Sequence, residues 1–204
     1  MSASQLVLAT GNRGKLDEFN QLLAAFPVTV IAQTEFNVPE AVENGLTFVE
    51  NAIIKARHAA QHTGLAAIAD DSGIEVDALQ GAPGIYSARY AGLKGDAAAN
   101  NRKLLATLEG YAEAERSARF RAVIVYMRHA DDPAPVIAEG VWEGRILQTA
   151  RGEGGFGYDP VFYVPTHDCS AAELESSEKN RISHRGQALQ RLLAAFANGR
   201  AKLL

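Results

Sequence analysis

The chain has 204 residues, 47% of them hydrophobic and 22% charged, with a net charge of −4. That length buries a sizeable core without disulfides or metals, and the charge offers no basic face for long nucleic acid. A lone cysteine, Cys169, excludes an internal disulfide, and no apolar run approaches the ~20 residues that cross a bilayer. Met1 to Gln5 lack the basic and apolar regions of a secretion signal. The expectation is one cytoplasmic domain over residues 1–204 that binds neither membrane nor nucleic acid.

The first element is a short apolar strand, Leu6 to Ala9, followed by Thr10-Gly11-Asn12-Arg13-Gly14-Lys15. Leu16, Phe19, Leu22, Leu23 and Phe26 then recur at helical spacing. A strand, a glycine-bearing turn and a helix start suit an anion, because free N–H groups and the helix dipole point at the ligand. Lys15 adds a full charge, so the turn fits a polyphosphate. The spacing is not that of a Walker A loop, and an ordinary β–α turn carries the same glycines.

Val28 to Ala32 reads as a second strand. An acidic loop, Pro39 to Gly45, carries Glu40 and Glu43. Thr47, with Glu50 three residues on, predicts a capping box opening a helix that ends near Gly64. Lys55 lies one turn past Asn51 on that helix; such a lysine is solvated unless its face meets other charges.

Leu65 to Ala69 predicts a buried strand that ends in Asp70-Asp71-Ser72-Gly73. Ligands of open α/β sheets bind at such strand ends, and hard oxygen donors near phosphate suit Mg²⁺. Adjacent strand residues face opposite sides, so only one aspartate addresses a metal unless the chain turns. A strand-capping turn explains the same four residues. Ile74, Val76 and Ala78 then alternate with Glu75 and Asp77 as a separate, half-exposed strand.

Gly81-Ala82-Pro83-Gly84 is a turn, and 97–109 a helix with Leu104, Leu105 and Leu108 inward. Phe120 to Met127 reads as a strand; 136–147 reads as two strands or a bent one, with Glu143-Gly144 as the turn. In Gly154-Gly155-Phe156-Gly157-Tyr158-Asp159-Pro160, Phe156 either stacks on a base or anchors the loop in the core. Lys179, His184 and Arg185 precede a last helix bearing Leu189, Leu192, Leu193 and Phe196. They are solvated surface or donors to a purine carbonyl. The order of elements predicts an α/β fold with a mixed sheet flanked by helices.

Six ordered segments together resemble the inosine/xanthosine triphosphate pyrophosphatase family over nearly the whole chain. They are Thr10-Gly11-Asn12 with Lys15, Gly45 to Phe48 with Glu50-Asn51-Ala52, Ala69 to Gly73, Gly81 to Arg89, Gly154 to Pro160, and Ser183 to Gly186. The resemblance implies a homodimeric, Mg²⁺-dependent enzyme with a long mixed β-sheet and two lobes around a substrate cleft. It implies hydrolysis of ITP, dITP and XTP to monophosphate and pyrophosphate, clearing deaminated purines from the nucleotide pool. By position, Thr10, Gly11, Asn12, Arg13, Gly14 and Lys15 match the triphosphate loop. Glu43 and Asp71 match metal ligands, Asp71 matches the general base, and Lys55 and Ser72 match substrate contacts. Phe156, Gly157, Tyr158, Asp159, Lys179, His184 and Arg185 match the base pocket. Tyr86 to Tyr90 and the 136–147 stretch are candidates for the dimer interface.

Two other classes compete. A Maf-like enzyme acting on pyrimidine triphosphates would not need the Phe156 loop with His184 and Arg185. A nucleotide-binding module without chemistry would not need Glu43, Asp70 and Asp71 beside lysines.

Overall fold

A computed structural model describes residues 4–24, 28–93 and 95–198. Phe26, expected on the first helix, lies outside them, as does the side chain of Arg13. Seven strands form one sheet in the order β2-β1-β3-β4-β5-β6-β7. They are β1 (Ser4–Leu8), β2 (Val28–Ala32), β3 (Ala66–Val76), β4 (Ser117–Met127), β5 (Val136–Ile146), β6 (Phe162–Val164) and β7 (Cys169–Ser170). The helices are α1 (Arg13–Leu23), α2 (Phe48–Thr63), α3 (Ala97–Thr107), α4 (Ser176–Ile182) and α5 (His184–Ala197). The sheet is mixed, as expected: β1 runs parallel to β2 and β3, whereas β6 is antiparallel to β5 and β7.

By its internal contacts the chain divides into two compact units. The first comprises Met1–Asp71, Ala122–Gly140 and Arg185–Leu204. Its core packs Leu6, Leu8 and Ile68 against Phe19 of α1 and Leu189 and Leu192 of α5. Parallel strands buried on both faces read as continuous apolar runs, and Leu6 to Leu8 and Ala66 to Ala69 are all nearly solvent-free. The second comprises Ser72–Arg121 and Val141–His184. Its core is aromatic: Phe120, Trp142 and Phe162 pack with Leu104 and Leu108 of α3.

Two expectations on strands are corrected. Asp70-Asp71-Ser72-Gly73 is not a turn, because β3 runs unbroken from Ala66 to Val76. Its second half does alternate: Ile74 and Val76 are buried, while Glu75 pairs with Arg121 at 3.1 Å. Likewise Glu143-Gly144 is no turn but lies inside β5. A side chain at Gly144 would collide with the Tyr163 carbonyl and the Phe162 ring, so the glycine serves the close approach of β6.

Helix ends follow local chemistry. Asn12 caps α1 by accepting the Lys15 N–H at 3.1 Å, and Thr10 Oγ1 accepts the Asn12 N–H at 3.1 Å. Thr47 caps α2, accepting the Glu50 N–H at 3.3 Å, and left-handed Gly64 ends that helix. Glu50 closes the box one residue earlier than expected, accepting from Leu46 N–H at 2.9 Å and the Thr47 hydroxyl at 2.8 Å.

Arg116 closes the second unit. It is 3% exposed and donates to the carbonyls of Leu108, Ile146 and Leu147 at 2.8, 2.9 and 2.8 Å. One guanidinium fork thereby joins the end of α3 to the end of β5, and its charge favours the negative helix end. Arg116→Met strands three carbonyls but also removes a desolvated cation, so the expected net loss is about 2–4 kcal/mol. Urea melts of both proteins measure it; a loss below about 1 kcal/mol would refute the clasp.

Candidate active site

The parallel register of β1 and β3 decides where the charges meet. Leu8 pairs with Ile68, and the Ala9 N–H bonds the Ile68 carbonyl at 2.8 Å. The Thr10 turn therefore begins beside Asp70 and Asp71, where β1 ends and β3 runs on.

Because β3 stays extended, its two aspartates face opposite sides. Asp70, 3% exposed, meets Lys15 Nζ at 2.5 Å and Arg185 Nη2 at 3.4 Å. Arg185 also binds Glu18, one turn past Lys15 on α1. Burial pushes the Asp70 carboxyl up, but Arg185 and Lys15 overcome it and hold the group well below the usual carboxylate range. Burial likewise lowers Lys15, with Asp70 opposing.

Asp71 lies on the other side with a different partner. Lys55 Nζ of α2 reaches Asp71 Oδ1 at 2.5 Å and Glu43 Oε2 at 3.4 Å. Two carboxylates share that ammonium. Burial lowers the Lys55 pKa, but Asp71 and Glu43 together raise it above the ordinary lysine value. For Asp71 burial dominates and one lysine does not offset it, so its carboxyl sits above the usual range. The two neighbours thus diverge: Arg185 and Lys15 hold the Asp70 carboxyl down, while burial raises that of Asp71.

The loop carrying Glu43 is laid along α2. His58 Nε2 bonds the Pro39 carbonyl at 2.9 Å, Lys55 takes Glu43, buried Asn51 accepts the Gly45 N–H at 2.9 Å, and Glu50 accepts the Leu46 N–H. So Lys55 is not a solvated lysine, and the face of α2 that bears it exists to hold the acidic loop.

In the second unit the Gly154–Pro160 loop is built around Asp159, which is 3% exposed. Its Oδ2 accepts the Phe156 N–H at 2.8 Å and Lys179 Nζ at 2.7 Å. Gly155 has φ +69° and a side chain there would strike this carboxylate, so glycine is required. Tyr158 is the core anchor, buried and donating to the Ser87 carbonyl at 2.8 Å; burial raises its phenol well above the ordinary value. Phe156 is instead half-buried, with Lys179 Nζ 4.6 Å from its ring centre. Gly157 is also half-buried. His184 stacks nearly parallel on Phe120, 4.7 Å between ring centres, with Trp142 beyond at 6.4 Å.

The structure therefore groups Lys15, Lys55, Glu43, Asp70 and Asp71, and separately Phe156, Tyr158, Asp159 and Lys179. Thr10 and Asn12 spend their side chains on the turn itself, and Gly11 is open to solvent. Gly14 and Ser72 are half-buried beside these groups in sequence. Arg185 pairs with Glu18 and lies 3.4 Å from Asp70, so it also joins the charge cluster of the first unit. Sequence reasoning passed over Glu18 and His58, whose only signal was helical spacing from Lys15 and Lys55.

Glu43 and Asp71 converge on one cation position, and two carboxylates with other positions left to water and phosphate are a ligand set Mg²⁺ accepts. Among the described residues no cluster of three or more His, Cys, Asp or Glu forms an all-protein cage. No helix among them is long and apolar enough to cross a membrane.

Known proteins resemble the chain throughout. A protein of Thioalkalivibrio sulfidiphilus called dITP/XTP pyrophosphatase is 67% identical over 93% of this chain and 96% of its own. One of the same name from Vibrio parahaemolyticus is 62% identical over 95% and 96%. The solved structure of a HAM1 protein from Coxiella burnetii superposes with a TM-score of 0.88, at 53% identity, over 96% of this chain and 99% of that one. The Staphylococcus aureus Ham1 protein gives 0.83 at 41% identity, over 97% and 100%. The Ham1 family model matches residues 6–195, and with these relatives it establishes that the chain belongs to the Ham1 family.

Proposed function

We propose that this chain is a Mg²⁺-dependent nucleoside triphosphate pyrophosphatase acting on ITP, dITP and XTP. It releases pyrophosphate and leaves the nucleoside monophosphate. The observation that carries the reading is the pairing of Asp70 with Lys15 and of Asp71 and Glu43 with Lys55, in a chain whose relatives are named dITP/XTP pyrophosphatase.

The chemistry follows from the charge set. Among the described residues Glu18, Glu43, Asp70 and Asp71 pair with Lys15, Lys55 and Arg185. Glu43 and Asp71 would hold Mg²⁺, which when bound neutralises phosphate oxygens. Lys15 and the N-terminus of α1 bring donors to the phosphate chain. Lys55 places charge at the reacting phosphoryl group. Asp71 orients the attacking water and takes its proton, because its carboxyl is the one raised. Arg185 and Glu18 fix Asp70, and Asp70 fixes Lys15.

Phe156 stacks on the base while Lys179 and His184 donate to its edge. A 6-oxo group accepts from them; the adenine 6-amino group cannot. Guanine shares the 6-oxo group, so its rejection falls to its 2-amino group meeting the wall of the 156–159 loop. The working form is a homodimer in the cytoplasm, with 1–204 acting as one catalytic domain. Tyr86 and Ile137, both exposed, remain the interface candidates.

Purified protein with Mg²⁺ should convert ITP, dITP and XTP to monophosphate and pyrophosphate. Orthophosphate as the only product, or no product, refutes the reading.

Asp71→Asn is expected to lose ~10²–10⁴ in kcat while still binding nucleotide. Its melting should stay near that of the parent, since the folded state disfavours the charge on Asp71. Asp70→Asn leaves Lys15 and Arg185 buried without their anion and should cost about 3–5 kcal/mol. The Asp70 pKa is depressed on folding, so its stabilisation is present above the unfolded carboxylate value and is lost as pH falls below it. The melting deficit of Asp70→Asn should therefore be full at neutral pH and shrink below about pH 4. A deficit independent of pH would refute the assignment.

Lys179→Met is expected to lower kcat/KM for ITP more than for ATP. Arg185→Lys should lower both equally, because Arg185 serves Asp70. Steady-state kinetics on both substrates decide, and an Arg185 effect confined to ITP would return it to the base pocket.

A further inference from the structure

We infer that Asn101, on the first turns of α3, is a positioning residue that sets the discrimination between 6-oxo and 6-amino purines by holding the carbonyl of Gly157. The inference rests on the base-binding role proposed above for the 156–159 loop.

Asn101 Nδ2 donates to the Gly157 carbonyl at 3.0 Å. This bond fixes which way the amide points, since the flipped amide would set two oxygens against each other. The other half of the amide is left in an unfavourable place: Asn101 Oδ1 is buried and has no hydrogen-bond partner among the described residues. A buried acceptor without a donor is a standing cost to the fold. An apolar side chain of similar size would avoid it. A fold that keeps a destabilising polar group keeps it for what its other end does.

What the other end does is visible in the loop. Its ties include Phe156 N–H to Asp159, Tyr158 hydroxyl to the Ser87 carbonyl, and Gly157 carbonyl to Asn101. The first two hold the residues on either side of Gly157. Gly157 itself has φ +64° and no side chain, so its peptide plane can rotate between them. Asn101 is the group that sets that plane. The orientation of the Gly157 carbonyl decides how the following N–H and the Phe156 ring are presented to a base.

The test uses the full chain with Mg²⁺ and two variants, Asn101→Leu and Asn101→Asp. Leucine removes both amide ends; aspartate keeps the shape but loses the donor. In both variants KM for ITP should rise about tenfold, the worth of one well-placed hydrogen bond, with kcat changed less than about twofold. KM for ATP should change little, so the ITP-to-ATP ratio of kcat/KM narrows. Inhibition by pyrophosphate should be unchanged, because that ligand lacks a base. Asn101→Leu should melt at or above the parent temperature. That last readout separates positioning from a merely structural role, which would lower the melting point and both substrates together.

Calorimetric binding of IMP and AMP to the same proteins gives a measurement independent of turnover. A parent that prefers IMP, with variants that lose the preference, supports the role of Asn101 whatever the reaction products are. An unchanged preference in both variants overturns the role while leaving the pyrophosphatase reading intact. A parent that neither prefers IMP nor turns over ITP overturns both.

Discussion

The carboxylate of Asp70, almost wholly removed from water, is held by Lys15 and by Arg185, and Arg185 is held in turn by Glu18. A lone buried carboxylate would be prohibitively unfavourable. It is tolerated because two segments far apart in the chain deliver its partners to the middle of β3: the Thr10 turn with α1, and the start of α5. The parallel pairing of β1 with β3 places the turn beside the aspartate. The pair is shielded from water, so salt screens it far less than the surface ion pairs of Arg119 with Asp77 and Glu143. The same charge closure lets β3 carry a buried acid in its middle.

The rest of the first unit's chemistry follows from that arrangement. Because β3 remains extended, Asp71 is turned away from the Asp70 cluster and must find its own cation in Lys55. It shares that cation with Glu43, and burial leaves its carboxyl raised despite the lysine. Two adjacent residues of one type acquire opposite roles through the pleat alone. One becomes scaffold charge and the other becomes available for a proton or a divalent cation.

The aromatic loop of the second unit obeys a related logic. Asp159 is not at hand to accept from a base, because it is consumed in ordering Phe156 and Lys179. Tyr158 supplies the core anchor, which frees Phe156 to remain half-exposed beside an ammonium. Arg116 serves its unit in the same way, satisfying carbonyls that α3 and β5 cannot satisfy for themselves. In each case a buried polar group stands at an element end, where backbone groups lack partners.

Much was legible without coordinates wherever the cause was local. The caps at Thr47 and Gly64, the strand Val28–Ala32, the helix spacing of Phe19 and Leu23, and the mixed sheet are written in neighbouring residues. So was the juxtaposition of the Thr10 turn with Asp70 and Asp71, through the ordered motifs. The strands β3 and β5 were read as broken because Asp-Asp-Ser-Gly and Glu-Gly have turn chemistry, whereas ladder pairing and the fit of Gly144 against Phe162 keep them straight. The resemblance matches Arg185 to a base pocket, and the ion-pair partners that the structure gives it lie 167 and 115 residues away in the chain. By itself the sequence determined the family and the class of fold. Only the tertiary structure decided which aspartate is locked, which lysine serves which acid, and which of Phe156 and Tyr158 faces inward. Those outcomes depend on long-range burial and charge compensation, and no short window of sequence contains both members of the pairs.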